Sequence, residues 1–302
     1  MTKVYLHADD FGLNMASAER ILECRYEGCL QNISIMPNGE LEAIRLIEGT
    51  DIELRAHLNL VEGKCVSKKE DVNLLVDKEG FFRYSFTGIL TRTILPGRKK
   101  FCRQIEIELE NQIKTVQAAA GNRKIGLDSH QHTFMIRGVF LGFCRILKKL
   151  DIPPEDVRIS RELFLPFLKN ISLWHTYSPV NIIKNLLLNF LYFFIRKDVY
   201  ASGIEKRLII GIIFSGYMDE DRILKILPDY YKTAKKKGAD IEILFHPGYL
   251  TENEIHSPLV RKSFMKFYMN EGRYVEGAVL KSKSFCREIE KIRNSKENIQ
   301  KK

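Results

Sequence analysis

No two cysteines stand in a C-x-x-C spacing, no glycine-rich phosphate loop follows a strand-like run, and no G-x-S-x-G elbow is present. No apolar stretch reaches membrane-spanning length. Each absence removes a class of function. Without a Zn-finger spacing or a basic stripe with interleaved aromatics, the net charge of +10 reads as a general field and not as a specific nucleic-acid surface. Without the phosphate loop, nucleotide binding has no support, and without the elbow neither does a serine hydrolase. The six cysteines, Cys24, Cys29, Cys65, Cys102, Cys144 and Cys286, are scattered along a chain long enough to need no disulfide framework, so reduced thiols are expected. The first residues, MTKVYLHADD, resemble neither a signal peptide nor an anchor, and a cytoplasmic location is expected. The most apolar segment, 182–195 (IIKNLLLNFLYFFI), is interrupted by Lys184, Asn185 and Asn189. It falls short of the ~20 residues that cross a bilayer, so a buried or lid helix is expected, ahead of the other use weighed for it, one face lying on a membrane surface.

What is present is an alternation of short apolar runs with segments of helical period. Strands are expected at 3–8, 31–36, 52–56, 125–128, 157–159, 208–214 and 241–245. Helices are expected at 16–27, 40–48, 99–120, 139–150 and 221–236, several closed by a glycine. Strands too apolar to have a wet face, alternating with helices, predict a parallel α/β sheet. About seven βα units suit a distorted (β/α) barrel, with 58–98 and 160–207 as insertions over one mouth. Neither a repeat nor a Pro/Gly-rich linker divides the chain, so residues 1–290 read as one catalytic domain and 291–302 as a polar tail.

Polar chemistry in such folds gathers at the carboxyl ends of strands. Four runs deliver Asp or His there: His7-Ala8-Asp9-Asp10, His57, Asp128-Ser129-His130-Gln131-His132, and His246-Pro247. Asp10-Phe11-Gly12 spells a kinase tripeptide, but only nine residues precede Asp10, leaving no room for the loop and lysine that come first in a kinase. A haloacid-dehalogenase phosphatase needs its two aspartates separated by one residue; here they are adjacent. If the strand persisted, Asp128, His130 and His132 at i, i+2 and i+4 would share one face, and two imidazoles with a carboxylate make a divalent-metal site. Zinc, magnesium, manganese and cobalt all fit that donor set. Taken alone, each group has another use: Asp10 as a cap for the helix near Asn14, His57 as a hydrogen-bonded core histidine, His246-Pro247-Gly248 as a turn. His175 and His256, in an insertion and a polar loop, carry no such signal.

HADDFGLN at 7–14, HLNL at 57–60, DSHQH at 128–132 and FHPGY at 245–249, with VRISRE at 157–162, resemble the YdjC-like carbohydrate deacetylase family, the group that includes chitooligosaccharide deacetylases. The resemblance implies a distorted (β/α) barrel that removes acetyl groups from N-acetylated amino sugars with one divalent metal ion, Mg2+ or Zn2+. It implies Asp10, His57 and His130 as metal ligands, Asp9 as general base and His246 as general acid, with His132 lining the site and Asp128 beside it. Many relatives carry a Thr-His pair shortly before the DSH motif, where this chain has Ile125-Gly126.

The implied reaction needs an activated water and a proton for the leaving amine, which a metal site and an imidazole of ordinary pKa ~6.5 can provide. Arg158 and Arg161 are expected to contact sugar hydroxyls or to orient Asp9, with a surface pair to Glu162 as the other use. Phe81, Phe82, Tyr84 and Phe86 are candidates for stacking on a sugar or for core packing. The expected partner is an N-acetylated saccharide, and a homo-oligomer is compatible with the sequence. Nothing in the metal ligands recognises a sugar, so a hydrolase of another amide or ester, or a catalytically silent carbohydrate-binding barrel, are the competing readings.

Overall fold

The computed structural model describes residues 2–153, 157–204, 206–255 and 262–294. Six parallel strands form one curled sheet in the order β4-β3-β2-β1-β6-β5. They are β1 (Val4–Phe11), β2 (Asn32–Ile35), β3 (Glu53–Leu58), β4 (Ile125–Ser129), β5 (Arg207–Ile210) and β6 (Asp240–Phe245). Their apolar residues are almost all buried, as expected when helices cover the sheet.

Helix α1 (Met15–Tyr26) follows β1 and is capped by Asn14, whose side chain accepts from the Ser17 backbone N–H while the Ser17 hydroxyl returns to the Asn14 N–H. Asp10 therefore is not the cap. After β3 come α2 (Phe86–Arg92) and the long α3 (Arg98–Ala120), and α4 (Arg137–Leu150) follows β4. The second insertion holds α5 (Leu165–Lys169) and the 23-residue α6 (Pro179–Ala201). Helix α7 (Glu220–Lys236) lies between β5 and β6, and α8 (Lys262–Tyr268), α9 (Glu271–Lys281) and α10 (Lys283–Asn294) complete the described chain. No described helix is long and apolar enough to cross a membrane.

Several expectations change. Six strands are present among the described residues, and seven βα units are not seen. The stretch expected as a strand at 157–159 is reduced to a bridge: Val157 pairs with Leu127, and the Arg158 N–H donates to the Leu127 carbonyl. The Ile209 N–H then donates to the Arg161 carbonyl. This stretch thus touches both edge strands and links the open sides of the curled sheet. The run at 208–214 leaves the ladder after Ile210, because the N–H groups of Gly211, Ile212 and Ile213 turn to the Glu162 carboxylate. The helix expected at 40–48 is a 3-10 segment, Leu41–Ile47. Helix α10 continues through Asn294, and Arg293 donates to the Val4 carbonyl, so the tail does not begin at 291; residues 295–302, like His256, lie outside the described residues. Cys29 and Cys286 form a disulfide, with Cα atoms 5.7 Å apart, against the expectation of reduced thiols throughout. A pairing across 257 residues leaves no local spacing to read.

Candidate metal centre

Adjacent residues of a strand point to opposite faces, so Asp9 and Asp10 should not share a site. They do because β1 breaks its alternation: Asp10 has φ +65°, and the pairing with β2 shifts register between Ala8 and Phe11. A left-handed aspartate costs backbone energy, about 1–3 kcal/mol for such a strained residue, and here it turns both carboxylates into one cavity. That cavity has a volume of about 470 Å³, and Asp9, Asp10, His57, His130, His132 and His246 all line it.

Asp10, His57 and His130 present ligand atoms that lie within 4.8 Å of one another, and all three residues are buried. His130 Nδ1 is 3.3 Å and His57 Nε2 3.8 Å from Asp10 Oδ1. The remaining nitrogen of each ring is held by a carboxylate: His57 Nδ1 is 2.6 Å from Asp128, and His130 Nε2 is 3.2 Å from Glu62, which also accepts from the Tyr268 hydroxyl at 3.0 Å. Carboxylates behind metal-binding imidazoles fix the tautomer and raise ligand basicity. Asp10 Oδ1 itself is buried without a hydrogen-bond partner, an arrangement expensive in an empty site and natural for a cation ligand. The donor set fits a divalent ion. Burial would raise the Asp10 carboxyl, but His130 and Arg273 hold it far below the usual carboxylate range. Burial would likewise lower His130, and Asp10 and Glu62 instead push its pKa up to about 10.

His7, Asp9 and Asp128 also converge, but their charge is already met. Arg158 Nη2 stands 2.9 Å from both oxygens of Asp9 and 2.9 Å from Asp128, while Nη1 reaches Glu242 at 2.8 Å. Against the upward push of burial, Arg158, His57 and His7 keep the Asp9 carboxyl well below its ordinary pKa. Of the two arginines in VRISRE, Arg158 is therefore the one that orients Asp9. Arg161 does not reach the cavity: its guanidinium lies 4.3 Å over the Tyr192 ring, in a separate surface pocket. Nor does it pair with Glu162, whose buried carboxylate is taken by three backbone N–H groups and Asn185.

The strand expected to carry Asp128, His130 and His132 on one face stops at Ser129. Gln131 and His132 are left-handed (φ +49° and +61°), and this turn brings both histidines to the cavity wall while Asp128 stays behind His57. Burial and the nearby Lys184 hold the His132 imidazole well below its ordinary pKa. His246 Nδ1 faces Glu276 at 3.8 Å, and the same carboxylate accepts the His246 backbone N–H. Of the four aromatic candidates only Phe86 lines the cavity; Phe82 is core, and Tyr84 packs edge-on against Phe101. His175 is exposed.

Several residues around the site carry no role in the sequence reading. His7 sits two positions before Asp9, and the strand alternation that aligns them was the available signal. Glu62, Tyr268 and Arg273, which backs Asp10, come from loops and helices with no pattern pointing inward. Lys184, in the apolar insertion, lines the cavity with Leu187 and Leu188.

Residues 3–291 match the YdjC-like protein family. A carbohydrate deacetylase of Thermoanaerobacter pseudethanolicus is 26% identical over 260 residues, 85% of each chain. One from Xenopus laevis is 24% identical over 270 residues, 83% of each chain. A solved structure, of a candidate cellobiose-phosphate cleavage protein from Enterococcus faecalis V583, superposes with a TM-score of 0.65 at 19% identity, covering 97% of this chain and 95% of its own, which speaks to the fold alone. With the family match running over nearly the whole chain, this protein belongs to the YdjC-like family.

Proposed function

We propose that the chain is a metal-dependent hydrolase that removes the acetyl group from N-acetylated amino sugars or oligosaccharides. The observation that carries the reading is the buried Asp10 oxygen, without a hydrogen bond and facing His57 and His130, with the ionised Asp9 beside them in the same cavity. Deacetylase naming among the curated relatives supports the substrate class.

In this reading Asp10, His57 and His130 hold one divalent ion, with magnesium and zinc the leading candidates. When bound, such an ion supplies Lewis acidity toward the acetyl carbonyl and acidifies water, which suits a base as weak as Asp9. Asp9, always in its accepting form at neutral pH, takes the proton of the attacking water. Arg158 fixes both oxygens of that carboxylate, so its direction does not depend on substrate. As the C–O bond forms and the C–N bond breaks, His246 gives a proton to the departing amine, its ring steadied by Glu276. The products are acetate and a free amino sugar. Phe86 and Phe267 offer apolar faces for a pyranose ring, with Gln131 and Ser215 as polar contacts in the same cavity.

The test is acetate release from a panel of N-acetylated saccharides, with and without chelator. Release that disappears with chelator and returns with a divalent ion is expected. Metal retention without turnover on any acetylated sugar, but with turnover on another amide or ester, would replace the substrate class and keep the site.

A further inference from the structure

Helix α6 is apolar on both of its faces, and only one of them is used. Asn185, Leu188, Leu191, Tyr192, Ile195 and Val199 are buried against the rest of the fold. On the opposite face Val180, Ile183, Leu186, Phe190, Phe193 and Phe194 are exposed, Ile183 by 65% and Phe190 by 61%. The segment leading into α6 adds exposed Ile171 and Trp174. Together with Leu165, Leu168 and Tyr200, this second insertion holds eleven of the sixteen large exposed apolar residues among those described. Scattered apolar residues are ordinary on a protein surface; concentration in one helix and its approach is not.

The charges of the insertion are predominantly positive. Between 163 and 204 there are four Lys or Arg and a single acidic residue, Asp198, which faces Arg137. Arg196 stacks 4.2 Å over Phe193, and Lys197 is exposed beside it. Helix α2 meets the same cavity through Phe86, and the turn after it exposes Ile94 and Leu95 next to Arg98, Lys99 and Lys100. The inner edge of α6 lines the cavity through Lys184, Leu187 and Leu188, so the apolar face lies beside the site's mouth.

We propose that the exposed face of α6 docks on an anionic membrane surface, lying in the headgroup layer with the cavity mouth turned toward it. The helix is not long and apolar enough to cross, which suits lying on the surface. Cations around an apolar stripe match an anionic leaflet. A second copy on this face fits less well, because a twofold contact would set a face with an excess of cations against a copy of itself, on a chain already carrying +10. This proposal is independent of the deacetylase reading.

The experiment is cosedimentation of the full chain with phosphatidylcholine vesicles, with and without phosphatidylglycerol, at low and high salt. Wild type is expected to pellet with the anionic vesicles, less so as salt rises, and only weakly with neutral ones. Phe190→Asp combined with Phe194→Asp should lower partitioning by about a hundredfold, on the order of tenfold for each phenylalanine withdrawn from apolar surroundings. Both residues are exposed, so circular dichroism and the thermal midpoint should stay at wild-type values. Tyr274→Asp, an equally exposed site on α9, should bind as wild type does. Wild type left in the supernatant with both vesicle types overturns the proposal, as does equal loss in the Tyr274→Asp variant. A dimer in analytical ultracentrifugation that the double substitution dissociates, without vesicle binding by wild type, would assign the face to a second copy instead.

Discussion

Arg158 and Asp9 are joined through a single guanidinium nitrogen, 2.9 Å from each carboxylate oxygen, at a position where both side chains are buried. The same arginine faces Asp128 and Glu242, so its removal would take a shared cation from three interior carboxylates, leaving Asp9 and Asp128 to histidines and Glu242 to Arg207. Breaking a buried ionic network by deleting one partner typically costs about 3–5 kcal/mol. Arg158→Gln should therefore lower thermal stability by about that amount. The pH dependence follows from the sign of the Asp9 shift. Its folded pKa is depressed, so the stability it contributes is fully present above the unfolded value of about 4 and is lost only as pH falls through the lower folded value. Without Arg158 the folded value rises, and the acid unfolding midpoint should move to higher pH. Acid titration followed by circular dichroism checks this; an unchanged midpoint would contradict the assigned role of Arg158.

Cation binding should release a proton. With no ion bound, the His130 imidazole is pushed up to about 10 by Asp10 and Glu62 despite its burial, so it is protonated at neutral pH. A divalent ion needs the neutral ring. Calorimetric titration in buffers of different ionisation enthalpy should show about one proton released per ion, with affinity rising from neutral pH toward about 10. The proton's own contribution to stability runs the other way: it is fully present below the unfolded histidine value of about 6.5 and is lost as pH rises through about 10.

Glu62 and Tyr268 would act on a bound ion through His130. Tyr268→Phe removes one hydrogen bond to Glu62, and Glu62→Gln removes the charge behind the imidazole. Losses of about 10- to 100-fold in ion affinity are expected for a change behind a ligand, with Glu62→Gln the larger. Equal affinity in all three proteins would show that His130 does not ligate.

Glu162 anchors the chain where β5 ends. Its carboxylate accepts the N–H groups of Gly211, Ile212 and Ile213, and Gly211 and Ser215 line the cavity. A glutamine there must set its NH2 against a donor. Glu162→Gln should cost about 1–3 kcal/mol of stability from the donor left unsatisfied, and should act on KM more than kcat because it moves a wall and not the reacting groups. Thermal melts and steady-state kinetics measure both.

How far the sequence could be read is visible in particular residues. All six strands were legible from their apolar runs because strands buried on both faces carry little else. The collection of Asp9, Asp10, His57, His130, His132 and His246 at one cavity was legible because parallel strands place their carboxyl ends together. The direction of each side chain was not. Asp10 and His132 enter the cavity only through positive φ angles, and Arg161 points away from it while Arg158, three residues earlier, points in. The bridge at Val157 lies in a stretch, 157–159, that reads as a full strand, since three residues look alike whether they pair at one position or along a ladder. Arg273, Glu62 and Tyr268 come from segments whose approach to Asp10 and His130 is set by tertiary packing alone. The face of α6 was equally silent, because the same apolar letters describe a buried helix and one with an uncovered side.

The most direct measurement of the central claim pairs ion content with acetate release in wild type, Asp9→Asn and His130→Ala. One divalent ion per chain is expected in wild type and in Asp9→Asn, and a large loss in His130→Ala. Acetate release should fall in both variants, by about 10²–10⁴-fold where only the base is removed. Full activity in an ion-free His130→Ala protein, or in Asp9→Asn, would contradict it.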